Sequence, residues 1–280
     1  MSSDAQWRLA RTAVEKTSTR FADLLETASE THIRAVGQWS IAETAAHVAV
    51  VCRADAAIAL DDDSALELKD LRERARTASV DDMGELNALG LELEPERNLH
   101  LLAEQIRQSV TQLLADTSSA DGTERVRWLA DVDLPLCGVM THLASELLIH
   151  GYDIARAQRR PWDLPRDFSS LVYEAFFLEF LRNGGARRFL AQGGVRGDVC
   201  CEFRVRGCEP VLFIYENGHL AVAEQGAHPV DLHISADPTA MLLVMYNRLN
   251  PLRPVLRGQL VAWGRRPWRL GRLMRVMQTP

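Results

Sequence analysis

Lysine is almost missing from this 280-residue chain. Lys16 and Lys69 are the only two, and arginine supplies the rest of the positive charge. Acidic residues outnumber basic ones, giving a net charge of -6. This argues against non-specific nucleic-acid binding, which needs a basic surface to neutralise phosphates. No apolar run approaches the ~18 residues of a membrane span, so no membrane association is expected. The first ten residues, MSSDAQWRLA, lack the basic start and apolar centre of a secretion signal, and a soluble cytoplasmic protein is expected. Cysteine is scarce and irregular: Cys52, Cys137, Cys200, Cys201 and Cys208 include no C-x-x-C pair. That spacing points away from redox and cysteine-ligated zinc sites, and suits reduced thiols acting as small buried hydrophobes. Internal repeats and low-complexity tracts are absent as well.

What is present reads first as helix. From Trp7 to Ala28, residues Leu9, Ala13, Val14, Phe21, Leu24 and Leu25 recur at helical spacing. Ser40 and Glu43 form an S-x-x-E capping box, so a second helix is expected to begin there and run through AAHVAVVCRADAAIAL. Between Ala45 and Cys52 it is apolar nearly all round, as a central helix would be. Residues 64–94 are acidic and mixed, and the expectation is a long connection with one short helix. A third helix, Pro95 to Asp116, carries Leu99, Leu102, Ile106, Val110 and Leu113 on one stripe. Pro135 opens a fourth, reaching Ala157 or beyond. Four such helices read as a four-helix bundle. A fifth, Pro165 to Arg182, ends at Asn183-Gly184-Gly185.

After Gly193-Gly194 the period shortens. Val199 to Val205, Val211 to Tyr215, His219 to Ala223 and Val230 to Ile234 are short strand-like runs, with Glu216-Asn217-Gly218 as a turn. Asp237 caps a helix through Met245, Gln259 to Trp263 reads as another strand, and Pro267 to Met277 as a last helix. The expected fold class is α+β: a helical bundle over residues 1–185, then a small α+β domain over residues 195–280, joined near residues 186–197.

The chemistry concentrates in SELLIHGYDIARA, residues 145–157. Glu146 and His150 stand four residues apart, so both project from one side of a helix among Leu147, Leu148 and Ile149. His47 lies on the second helix, about two turns past its cap. Two imidazoles and a carboxylate could hold one side of a divalent ion and leave positions open, as catalytic zinc sites do, and the same set would suit ferrous iron. Spacing alone leaves two plainer readings open: a core histidine bonded to a backbone carbonyl, and an ordinary i,i+4 pair on a wet face. His142 shares the side of Glu146 and His150 but lies about 12 Å from His150 along the axis, too far for one ion to take both. Asp153, one turn past His150, could orient an imidazole or could pair with Arg156 at the surface.

The segment WSIAETAAHV, residues 39–48, followed a hundred residues later by ELLIHGYDIARA, resembles the mycothiol-dependent maleylpyruvate isomerase family within the DinB-like metal-binding bundles. The resemblance implies that His47, Glu146 and His150 bind zinc or another divalent metal. VDLHISADPTAMLLVMYNRLNP and the later LRGQLVAWGRRPWRL are similar to the sterol-carrier-like domain that follows the bundle in that family. Gly264-Arg265 matches a Gly-Arg pair whose arginine binds an anionic substrate, which implies a catalytic role for Arg265. Arg266 and the surrounding residues depart from the usual pattern. The implied cofactors are the metal and mycothiol, a low-molecular-weight thiol, and the implied partner is a small electrophilic substrate. Isomerisation and S-transfer both remain open, and so does a reading from another class, a non-catalytic binder of an apolar ligand on a structural bundle.

Overall fold

The computed structural model describes residues 3–62, 68–188, 197–224, 226, 228–271 and 273. Two compact units divide the chain, Met1–Phe176 and Phe177–Pro280. The division falls ahead of the boundary expected near residues 186–197.

The first unit is a bundle of four long helices: α1 (Ser3–Glu26), α2 (Ile41–Ala59), α5 (Leu99–Asp116) and α6 (Leu136–Ala157). Phe21 and Leu25 of α1, Ile41 and Val48 of α2, Leu102 and Ile106 of α5, and Leu143 and Leu147 of α6 are sealed from solvent. Each such burial contributes about 1.5–3 kcal/mol, so the bundle has a core independent of any bound ion. The expected capping box opens α2: Ser40 N–H donates to Glu43 Oε2 at 2.8 Å, and Glu43 N–H to Ser40 Oγ at 3.2 Å. The third helix starts at Leu99 rather than Pro95, because the Asn98 side chain accepts from His100 N–H and caps it there.

The connection between α2 and α5 holds two helices, not one: α3 (Lys69–Thr77) and α4 (Met83–Leu93). Their apolar residues are too sparse to show a period, and tertiary packing supplies what periodicity lacks. Leu68 packs with Val50 and Ala57 of α2, while Ala75 and Ala78 pack with Leu86 of α4. Two short antiparallel ribbons also went unforeseen: β1 (Arg34–Val36) with β2 (Trp39–Ser40), and β3 (Arg125–Arg127) with β4 (Asp133–Pro135). Each leads into the first turn of a long helix and fixes where that helix begins.

The fifth expected helix is interrupted. It comprises α7 (Arg166–Leu171), a π-helical stretch Val172–Leu178 and α8 (Glu179–Arg182). In the second unit, a mixed sheet has the order β7-β6-β5-β8-β9. Its strands are β5 (Val199–Val205), β6 (Val211–Glu216), β7 (His219–Glu224), β8 (Leu232–Ala236) and β9 (Leu260–Gly264). The central pair β5–β8 is parallel and the rest are antiparallel. β8 begins two residues later than the sequence suggested. α9 (Pro238–Met245) is capped by Asp237 as expected, and α10 (Leu252–Leu256) follows it. Of the expected last helix, residues 267–269 form a 3-10 turn, residues 270, 271 and 273 are α-helical, and residue 272 and the part beyond residue 273 lie outside the described residues. Among the described residues, no helix is long and apolar enough to cross a membrane.

Candidate metal centre

α2 and α6 pack side by side and bring His47 against Glu146 and His150 in the first unit. One ligand-capable atom from each of the three lies within 4.8 Å of the other two. His47 Nε2 stands 3.2 Å from Glu146 Oε2, and His150 Nε2 stands 3.3 Å from the same oxygen. Zinc bonds of ~2.0–2.2 Å in tetrahedral array put neighbouring donor atoms about 3.4 Å apart. The two observed separations match that edge, so the donor set fits a divalent ion in both chemistry and spacing.

Both histidines are buried, and Glu146 is nearly so. Burial works against the protonated His47 ring and outweighs the hydrogen bond to Glu146, so this imidazole is held below its ordinary range and neutral at pH 7. Burial also works against the ionised Glu146. Hydrogen bonds with His150 and His47, with the charges of His150 and His142, overcome it and hold the carboxyl well below the usual range. For His150, burial lowers the value, yet Asp153 and Glu146 more than compensate and raise it to about 9. A buried carboxylate between two imidazoles is thus ready to accept a cation.

Asp153 is fully buried, which rules out the alternative of a surface pair with Arg156. Its Oδ2 lies 3.3 Å from His150 Nδ1, an ion-pair distance. The geometry falls short of a hydrogen bond, and Nδ1 has no other partner.

His142 does not reach His150, as its axial distance required, but it belongs to the same network. Its Nε2 lies 3.6 Å from Glu146 Oε1, and its Nδ1 pairs with Asp55 Oδ2 at 2.7 Å. Trp128 Nε1–H donates to the other Asp55 oxygen at 3.4 Å. The rings of Trp128 and Phe176 pack on His142 with centroids 4.7 and 4.9 Å away. The Trp39 ring lies 5.0 Å from His47. Sequence reasoning missed Asp55 and Trp128. The available signal was a lone carboxylate in the apolar run of α2, eight residues past His47.

Arg265 follows β9 in the second unit and is exposed. Among the described residues, no side chain pairs with it. Its neighbour Arg266 is engaged by Asp231 at 3.2 Å, as is Arg269 at 2.6 Å. Gly264 before it has φ +141°, and a Cβ there would meet Asp231 O at 2.7 Å, so this position requires glycine. Cys52, near the metal centre on α2, is buried. Burial first, then the Asp55 carboxylate, pushes its thiol far above the ordinary cysteine range and leaves it inert.

A helical bundle with a His-Glu-His cluster on facing helices belongs to the class of bundles that can hold a metal ion in their core. Within that class, residues 10–155 match the model of the mycothiol maleylpyruvate isomerase N-terminal domain, and the chain belongs to that family. No curated protein sequence matches it. The fold is similar to the crystal structure of a mycothiol-dependent maleylpyruvate isomerase at 13% identity, covering 94% of this chain and 95% of that one, with a TM-score of 0.52. A histidine-to-alanine mutant of that enzyme matches equally, with 13% identity, 94% and 95% coverage and a TM-score of 0.52.

Proposed function

We propose that this chain is an enzyme that binds a divalent metal, zinc foremost, through His47, Glu146 and His150 and uses mycothiol as its thiol cofactor. The reaction is attack of the thiolate on a small electrophile, ending in isomerisation or in S-transfer. The observation that supports it is the convergence of two imidazoles and one carboxylate, buried and within 4.8 Å, in a chain of this family. His47, Glu146 and His150 would hold the ion, and a zinc bound there would supply the Lewis acidity that lets a thiol lose its proton near neutral pH.

The chain's own residues prepare that position. One carboxylate and two neutral imidazoles would leave a net positive charge around a divalent ion, which would favour a thiolate over a thiol. Asp153 orients the His150 ring from behind, and Asp55 anchors His142 beside Glu146, as outer partners of metal ligands do. Trp39 and the apolar faces of α2 and α6 limit water around His47, strengthening each charge interaction. Arg265 is the residue proposed to grip a substrate carboxylate, since a guanidinium can form two parallel hydrogen bonds with it.

The test is turnover of a panel of electrophiles by the zinc-loaded protein with and without mycothiol. Product that requires both the thiol and the metal supports the reading. Turnover undiminished without mycothiol, or inertness to the whole panel, counts against it.

A further inference from the structure

The first unit contains a cleft of about 420 Å3 away from the triad, between the end of α2, α3 and the β3–β4 ribbon. Among the described residues, Arg72, Arg76, Arg125 and Arg127 line it, against Asp61 and Asp133. Among the described residues, four cations over two anions make a local positive excess in a chain whose net charge is -6. Some guanidinium groups serve the walls: Arg72 donates to Asp62 O at 2.8 Å and Arg125 to Asp133 O at 2.7 Å. Arg127 lies 3.8 Å from Asp133 with both side chains more than half exposed, a contact worth little in water. Arg76 is exposed on α3 and, among the described residues, has no paired side chain. The remaining described wall is apolar, made by Ile58, Ala75, Val126, Trp128 and Leu129.

We propose that this cleft is a second ligand site, for a small organic oxyanion carrying two negative charges on an apolar body. Arg76 and Arg127 take the charged head, because planar guanidinium forks match phosphate and carboxylate oxygens in pairs. Trp128 and Leu129 take the body, and the volume is that of a small-molecule pocket. The site is distinct from the metal triad and stands whether or not the proposed thiol chemistry is correct. Trp128 belongs to both surroundings, since it lines the cleft and packs on His142.

Phenyl phosphate is the probe, with inorganic phosphate as the head alone, titrated by calorimetry into the whole protein. Phenyl phosphate is expected to bind with a Kd below about 1 mM, at least tenfold tighter than inorganic phosphate. Arg76→Ala and Arg127→Ala alter exposed side chains and should leave the fold and metal content unchanged, while each weakens phenyl phosphate at least tenfold. An affinity that neither substitution changes, or phenyl phosphate binding no tighter than inorganic phosphate, would overturn the proposal.

Discussion

His142 Nδ1 and Asp55 Oδ2 lie 2.7 Å apart, joining α6 to α2 immediately behind Glu146. Burial lowers the His142 value, but the Asp55 charge and hydrogen bond and the Glu146 charge win and raise it. The pair therefore supports the one carboxylate of the candidate metal centre. Asp55→Asn keeps the shape and removes the charge. It should weaken zinc binding about tenfold, the lower end of what outer partners of metal ligands contribute. Asp55→Ala should also destabilise the fold by about 3–5 kcal/mol, because His142 is left buried without its partner. Zinc competition and chemical denaturation read the two effects separately, and unchanged zinc affinity in Asp55→Asn would remove this pair from the account.

Metal binding should release a proton. In the metal-free protein His150 titrates at about 9, above its ordinary 6.5, whereas His47 is held low and Glu146 is ionised throughout. An ion must therefore displace the His150 proton below pH 9, and affinity should rise about tenfold per pH unit from roughly 7 to 9. Calorimetry at pH 7.5 in buffers of different ionisation enthalpy should show about one proton released per zinc. The linkage to metal-free stability has the opposite slope. A raised histidine stabilises fully below about 6.5, and that contribution fades as the pH climbs through about 9.

No cysteine of the chain should be essential. Cys52, the one nearest the triad in sequence, has a thiol held protonated by burial, so Cys52→Ala should retain most turnover and all metal. Loss of activity in that variant with metal content unchanged would point to a protein nucleophile.

Arg265 and Arg266 should differ in kind. Arg265→Ala should lower turnover about 100-fold with zinc retained, if its contact strengthens in the transition state. Arg266 is engaged by Asp231, so Arg266→Ala should leave the rate near that of the parent. Parent-like rates for both variants would mean that the substrate is neutral or gripped elsewhere.

Much of this was legible in the sequence where a local rule sufficed. Ser40-x-x-Glu43 places the start of α2, and Glu146-x-x-x-His150 puts two donors on one side of α6. The approach of His47 is long-range and needed the family resemblance. Asp55 and Trp128 were silent, because their roles exist only once α2, α6 and the β3–β4 ribbon are packed. The helices α3 and α4 were hidden for the same reason: Leu68, Ala75 and Leu86 gain their burial from neighbours far along the chain.

The most direct measurement is zinc content in the purified protein and in single alanine variants of the triad. The account predicts close to one equivalent in the parent and a small fraction of that in His47→Ala, Glu146→Ala and His150→Ala, all still folded because the core is independent of the ion. Full zinc retention in His47→Ala would contradict the three-ligand centre.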